Sequence, residues 1–143
     1  MPHMISPNFS IEELLASDTA KAEDILNIPN WDALVQLVLL ANDTLEGIRA
    51  ICGGHPVLIS SGFRNQQLNE AVGGAETSAH MAGAAADFTI PAFGSVGQVI
   101  EAVRPHMKEL GVDQLINEYG SWVHVGRAPS FGVIPRNDCF IVT

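Results

Sequence analysis

Ser78-Ala79-His80-Met81-Ala82-Gly83-Ala84-Ala85-Ala86-Asp87-Phe88 is the stretch from which the rest of the chain can be read. A histidine and an aspartate stand in it almost alone among small residues. Imidazole nitrogen and carboxylate oxygen are both good zinc donors, and the small residues allow a turn sharp enough to bring His80 and Asp87 to one point. From Ala84 the run continues as a strand, with Asp87 and Thr89 on one face and Phe88 and Ile90 on the other. An ionised Asp87 alone in so apolar a run would be costly to bury. A buried ion pair is one answer, but this acidic chain has few cations, and a metal resolves the cost directly. Trp122-Val123-His124-Val125-Gly126 offers a third ligand, because its alternation puts His124 on the face opposite Val123 and Val125. Three protein ligands with one open position form the pattern of a catalytic zinc site rather than a closed structural one.

Four blocks carry a resemblance: Ser60-Ser61-Gly62-Phe63-Arg64, Leu68-Asn69-Glu70-Ala71-Val72-Gly73-Gly74-Ala75, the Ser78 to Phe88 stretch and Trp122-Val123-His124-Val125. They stand in the order and spacing of the M15 peptidases, and the chain resembles the short, single-domain branch of that family from about Phe9 to about Pro129. The resemblance implies a zinc peptidase that cuts peptidoglycan stem peptides, either as a D-Ala-D-Ala carboxypeptidase or as an L-Ala-D-Glu endopeptidase. It implies one zinc ion on His80, Asp87 and His124, and a zinc-activated water served by a carboxylate base. Many M15 enzymes carry that carboxylate three residues before the last histidine ligand, where this chain has Ser121. Glu118, six residues before His124, resembles the placement in the short branch and takes the role, with Asp113 in reserve. Arg64 matches the family arginine, whose planar fork would grip a substrate carboxylate or carbonyl. Ser78 resembles a family position beside the metal that could touch substrate; a plain turn or capping role is the alternative.

The implied fold is α+β: a small, mostly antiparallel sheet from strands near Val57, Phe88, Leu115 and Val123, with helices packed on one side. DD-peptidases and the Hedgehog signalling domain share it in outline. With 143 residues and 47% hydrophobic content, one domain spanning 1–143 is expected, its core at about 9–129 and its tail at 130–143. A formal charge of −9 repels phosphate backbones and anionic lipids, so neither nucleic acid nor membrane insertion is expected. Cys52 and Cys139 lie far apart in apolar surroundings and read as two thiols rather than a disulfide. The N-terminus has no basic region followed by a long apolar one, so it does not read as a signal peptide. The expected partner is the stem peptide, met by a monomer at the cell wall. Export would come from elsewhere, as for a phage or prophage lysin released through a membrane lesion, or from a leader not included in this sequence.

Along the chain, Ser10 and Glu13 form a capping box for a first helix. Asn30 or Asp32 caps a longer helix from about Trp31 to Ile51, with Leu34, Val35, Val38, Leu45 and Ile48 expected to face the core and Trp31 to anchor it. Gly53-Gly54 ends it. Ser95 caps a helix from about Val96 to Leu110, which Pro105 should kink or break. His3, His55 and His106 lack ligand context. The block from Asp113 to His124 reads as a hairpin turning at Tyr119-Gly120-Ser121. If three residues form the loop, Glu118 faces Trp122 and shares the face of His124, about 7 to 8 Å away. A two-residue loop would point Glu118 away.

The rival reading is a non-catalytic domain of the same fold, with a structural zinc, binding peptidoglycan or a protein. A metal-free interaction domain is the third. The tail is expected to add a loop and an edge strand.

Overall fold

The computed structural model describes residues 1–143. The elements run α1 (Ile11–Leu15), α2 (Asp18–Ala22), α3 (Trp31–Leu39), α4 (Glu46–Ile51), β1 (Leu58–Ser61), α5 (Gln66–Ala71), β2 (Ala85–Thr89), α6 (Val96–Val103), β3 (Gln114–Glu118), β4 (Trp122–Gly126) and β5 (Asp138–Val142). The fold is α+β, with a five-stranded sheet in the order β1-β2-β4-β3-β5. All pairings are antiparallel except that of β3 with β5.

Alternation along these strands divides the sheet into two unlike faces. Ala86, Phe88, Leu115, Val123 and Val125 belong to one core with Leu37, Leu40, Leu45 and Ile48 from the long helix and Val99 and Val103 from α6. Asp87, His124, Ile116, Glu118 and Trp122 occupy the other face by the strand registers. One face thus anchors the sheet, which leaves the other available for chemistry.

The local signals act as their chemistry demands. Ser10 and Glu13 form the capping box of α1, and Ser95 with Gln98 forms another on α6. Asn30 caps α3 by accepting from the Ala33 N–H at 2.8 Å. Pro105 ends α6 as an α-helix at Val103, and a single 3₁₀ turn, Arg104–His106, follows. Cys52 and Cys139 are free thiols.

The long helix corrects one expectation. Trp31 is 76% exposed and anchors no core, Val38 is exposed, and Leu34 and Val35 are only half-buried, whereas Ala33, Leu37, Leu40 and Ala41 are buried. The helix carries two apolar stripes, and periodicity alone cannot choose between them. Tertiary packing chooses: Gly83, at φ 73°, comes so close that a Cβ there would lie 2.3 Å from the Ala33 carbonyl oxygen. The intervening Leu40–Leu45 is π-helical, and its wider turn changes the phase. Leu45 and Ile48 therefore face the core as expected, although the stripe that precedes them does not.

Candidate metal centre

His80 lies in a 3₁₀ turn, Ala79–Ala82, between α5 and β2. Ser78 caps that turn, its Oγ accepting from the His80 N–H at 3.3 Å, so the capping role is visible. Gly83 closes it in the left-handed region. His80 is only 2% exposed, and its Nδ1 is 2.6 Å from the Gly62 carbonyl oxygen. Gly62 is required there, because a Cβ would meet the Leu14 carbonyl oxygen at 2.3 Å. With a carbonyl as partner, Nδ1 must carry the proton and Nε2 presents its lone pair. That Nε2 is buried and has no hydrogen-bond partner.

Asp87 on β2 and His124 on β4 face each other directly in the antiparallel register. Their side chains meet, His124 Nδ1 lying 2.9 Å from Asp87 Oδ1. His80 Nε2 is 3.3 Å from the same oxygen, outside hydrogen-bonding geometry. One ligand atom from each of His80, Asp87 and His124 lies within 4.8 Å of the other two, a cluster that could hold a metal ion. The donor set fits such an ion, since two imidazoles and a carboxylate are zinc ligands, and the orphaned His80 Nε2 is a buried polar atom that a cation would satisfy. Burial works to raise the pKa of Asp87, but the His124 and His80 imidazoles beside it outweigh burial and hold the carboxyl well below its ordinary range.

The hairpin takes the three-residue form. Glu118 pairs with Trp122 and Ile116 with His124, so Glu118 shares the face of His124, and its Oε1 is 3.9 Å from His124 Nδ1. Tyr119 and Gly120 adopt positive φ in the turn, and the Asn117 side chain accepts from the Gly120 N–H at 2.9 Å. Ser121 is exposed in that turn.

These groups line a cleft of about 650 Å³ that also includes Arg64, Ser78 and Trp122. The Arg64 N–H donates to the His80 carbonyl at 3.1 Å, which ties the two motifs together. Its guanidinium is partly buried, with Nε unpartnered. Burial lowers the pKa of Arg64, opposed by the negative charges of Asp87 and Glu118. Asp113 is occupied elsewhere: it is 5% exposed and accepts from Arg136 Nη2 at 2.7 Å and from the Arg136 backbone N–H at 2.7 Å. His3, His55 and His106 lie outside the cluster.

Two parts of the site had no readable sequence signal. The Gly62 carbonyl that orients His80 is backbone, which no residue type reveals. The Arg136 clamp on Asp113 joins residues far apart in the chain; an aspartate opening a strand and an arginine before an edge strand give only a generic hint. No helix is long and apolar enough to cross a membrane.

A family model described as Peptidase M15 matches residues 7–126. No curated protein matches the chain.

Proposed function

The chain belongs to the Peptidase M15 family, and on that premise we propose that it is a zinc-dependent peptidase hydrolysing amide bonds in peptidoglycan stem peptides. The bond is of the D-Ala-D-Ala or L-Ala-D-Glu type. The observation that carries the reading is the buried, partnerless His80 Nε2 converging with Asp87 and His124. Zinc bound by these three residues would polarise the scissile carbonyl and lower the pKa of a water to about 7.

The remaining work falls to the chain's own groups. Glu118, 24% exposed beside His124, takes a proton on its carboxylate and returns it to the leaving nitrogen. Arg64, half-buried in the cleft wall, directs a guanidinium edge to the substrate carboxylate or to the oxygen that gains negative charge. Ser78 offers its hydroxyl to the substrate while capping the His80 turn. Trp122, whose ring lies 5.8 Å from that of Tyr119, supplies an apolar wall. The chain acts at the cell wall as a monomer, in the manner of a phage or prophage lysin.

Mass spectrometry of purified peptidoglycan fragments after incubation with zinc-loaded protein, against a chelated control, tests this directly. New termini sensitive to chelator establish the peptidase and identify the bond. Their absence across several wall chemistries, in folded zinc-bound protein, turns the reading to a non-catalytic binding domain.

A further inference from the structure

The chain carries nine more acidic than basic residues, yet three of its seven lysines and arginines, Arg64, Arg127 and Arg136, line this single cleft. Their surroundings differ. Arg127 turns inward, its Nη1 donating to Thr44 Oγ1 at 3.0 Å and to the Leu110 carbonyl at 3.4 Å. It props the wall and offers little to a ligand. Arg64 shares the cleft wall with the metal centre and is within the electrostatic reach of Asp87 and Glu118. Arg136 is the third, and it lies on the tail beyond the residues that match the family.

Arg136 is both fixed and presented. Its Nε and Nη2 donate to the two oxygens of buried Asp113, at 3.2 Å and 2.7 Å, and its backbone N–H donates to the same carboxylate. Asp113 is anchored in turn, since its N–H donates to the Gly126 carbonyl and its own carbonyl accepts from Asp138. The guanidinium plane is therefore set by the sheet rather than by a freely rotating side chain. The remaining nitrogen, Nη1, has only Asp138 Oδ2, at 3.9 Å, and the Arg136 side chain is 58% exposed. A planar donor held on one edge and open on the other is pre-organised for an oxyanion, and ordering it costs little on binding. Asp113 offsets part of the charge, and the exposed Asp138 competes weakly with an incoming anion.

We propose that Arg136, held by Asp113, anchors a carboxylate of the peptide substrate at the end of the cleft contributed by the tail, making it a specificity-determining residue. The proposal rests on the reading of the cleft as a peptide site. It predicts a preference for acidic over amidated peptides to which Arg136 contributes independently of Arg64.

The test measures binding separately from cleavage. Isothermal titration of the metal-free protein compares N-acetyl-L-Ala-D-Glu with its bis-amide, and hydrolysis of the same pair is followed on the zinc-loaded protein. The expected result is binding of the acid about tenfold tighter than the amide. Arg136→Gln should abolish most of that preference, while Asp138→Asn, by removing the competing carboxylate, should widen it about two- to threefold. A merely structural role would not produce opposite changes. Because Arg136→Gln leaves a buried carboxylate short of partners, the double variant Asp113→Asn with Arg136→Gln repeats the measurement without that charge. Retention of the preference in both variants, or its loss only in Arg64→Gln, overturns the proposal, as does a wild type with no preference. Absence of hydrolysis with the binding preference intact would instead remove the L-Ala-D-Glu bond from the proposed function and leave this assignment standing.

Discussion

Glu118 Oε1 stands 3.9 Å from His124 Nδ1 because a three-residue turn places Glu118 opposite Trp122 and, with it, on the face that carries His124. A turn shorter by one residue would reverse every β3 side chain and send Glu118 to the core face. The proposed base and one proposed ligand are therefore brought together by hairpin register.

Glu118→Gln keeps the size and hydrogen-bonding capacity of the side chain but removes its basicity. It should retain one zinc per chain and lose turnover by about 10²- to 10⁴-fold. Metal analysis beside a peptide-hydrolysis assay checks both halves. Full activity in a zinc-bound variant would remove Glu118 from the mechanism.

Asp87 and His124 lie on the sheet face opposite the main core, and His80 on a turn held by the Gly62 carbonyl, so chelation should leave the fold in place. Far-UV dichroism should be unchanged, while zinc at 100 times its dissociation constant adds about 2.7 kcal/mol and raises Tm. His80→Ala should erase this metal-dependent increment. Unfolding on chelation would show instead that the ion is structural.

The Asp113 clamp should make stability depend on acid. Hydrogen bonds from Arg136 are the largest influence on Asp113 and hold its pKa below the ordinary value, against the opposing effect of burial. Because the folded-state pKa is depressed, the clamp contributes fully above the unfolded value of about 4 and is lost as pH falls through the lower folded value. Urea midpoints measured from pH 6 down to pH 3 should fall less steeply for Asp113→Asn than for wild type. Equal slopes would contradict the linkage.

The two apolar stripes of the long helix predict unequal costs. Leu37→Ala, at a fully buried position, should destabilise by about 2 to 5 kcal/mol. Trp31→Gln, at a largely exposed one, should stay within about 0.5 kcal/mol. Denaturant unfolding of the two variants decides whether the helix faces the core as described.

The sequence was most informative where one residue type has few uses. His80 and Asp87 in a run of small residues, and His124 in an alternating apolar strand, pointed to ligand chemistry by type and setting, and the structure brings the three together. The capping residues Ser10, Asn30 and Ser95 declared helix starts, because a side-chain oxygen before a helix satisfies a backbone donor wherever it occurs. The strand positions and the mostly antiparallel sheet were legible in the same way, and the family resemblance supplied their arrangement.

Other features depend on what a segment meets. Ala33 and Leu37 face inward, and Trp31 outward, because Gly83 brings the His80 turn against the Ala33 carbonyl, and nothing within the helix announces that contact. The orientation of His80 depends on the Gly62 carbonyl, and that of Asp113 on an arginine from the tail. Sequence alone determined which chemistries the chain possesses and which local periods it obeys, since both are properties of residues and their near neighbours. Only tertiary structure decided which of two equivalent faces is buried and which way each polar side chain points, because those choices are made by packing and hydrogen bonding between residues distant in the chain.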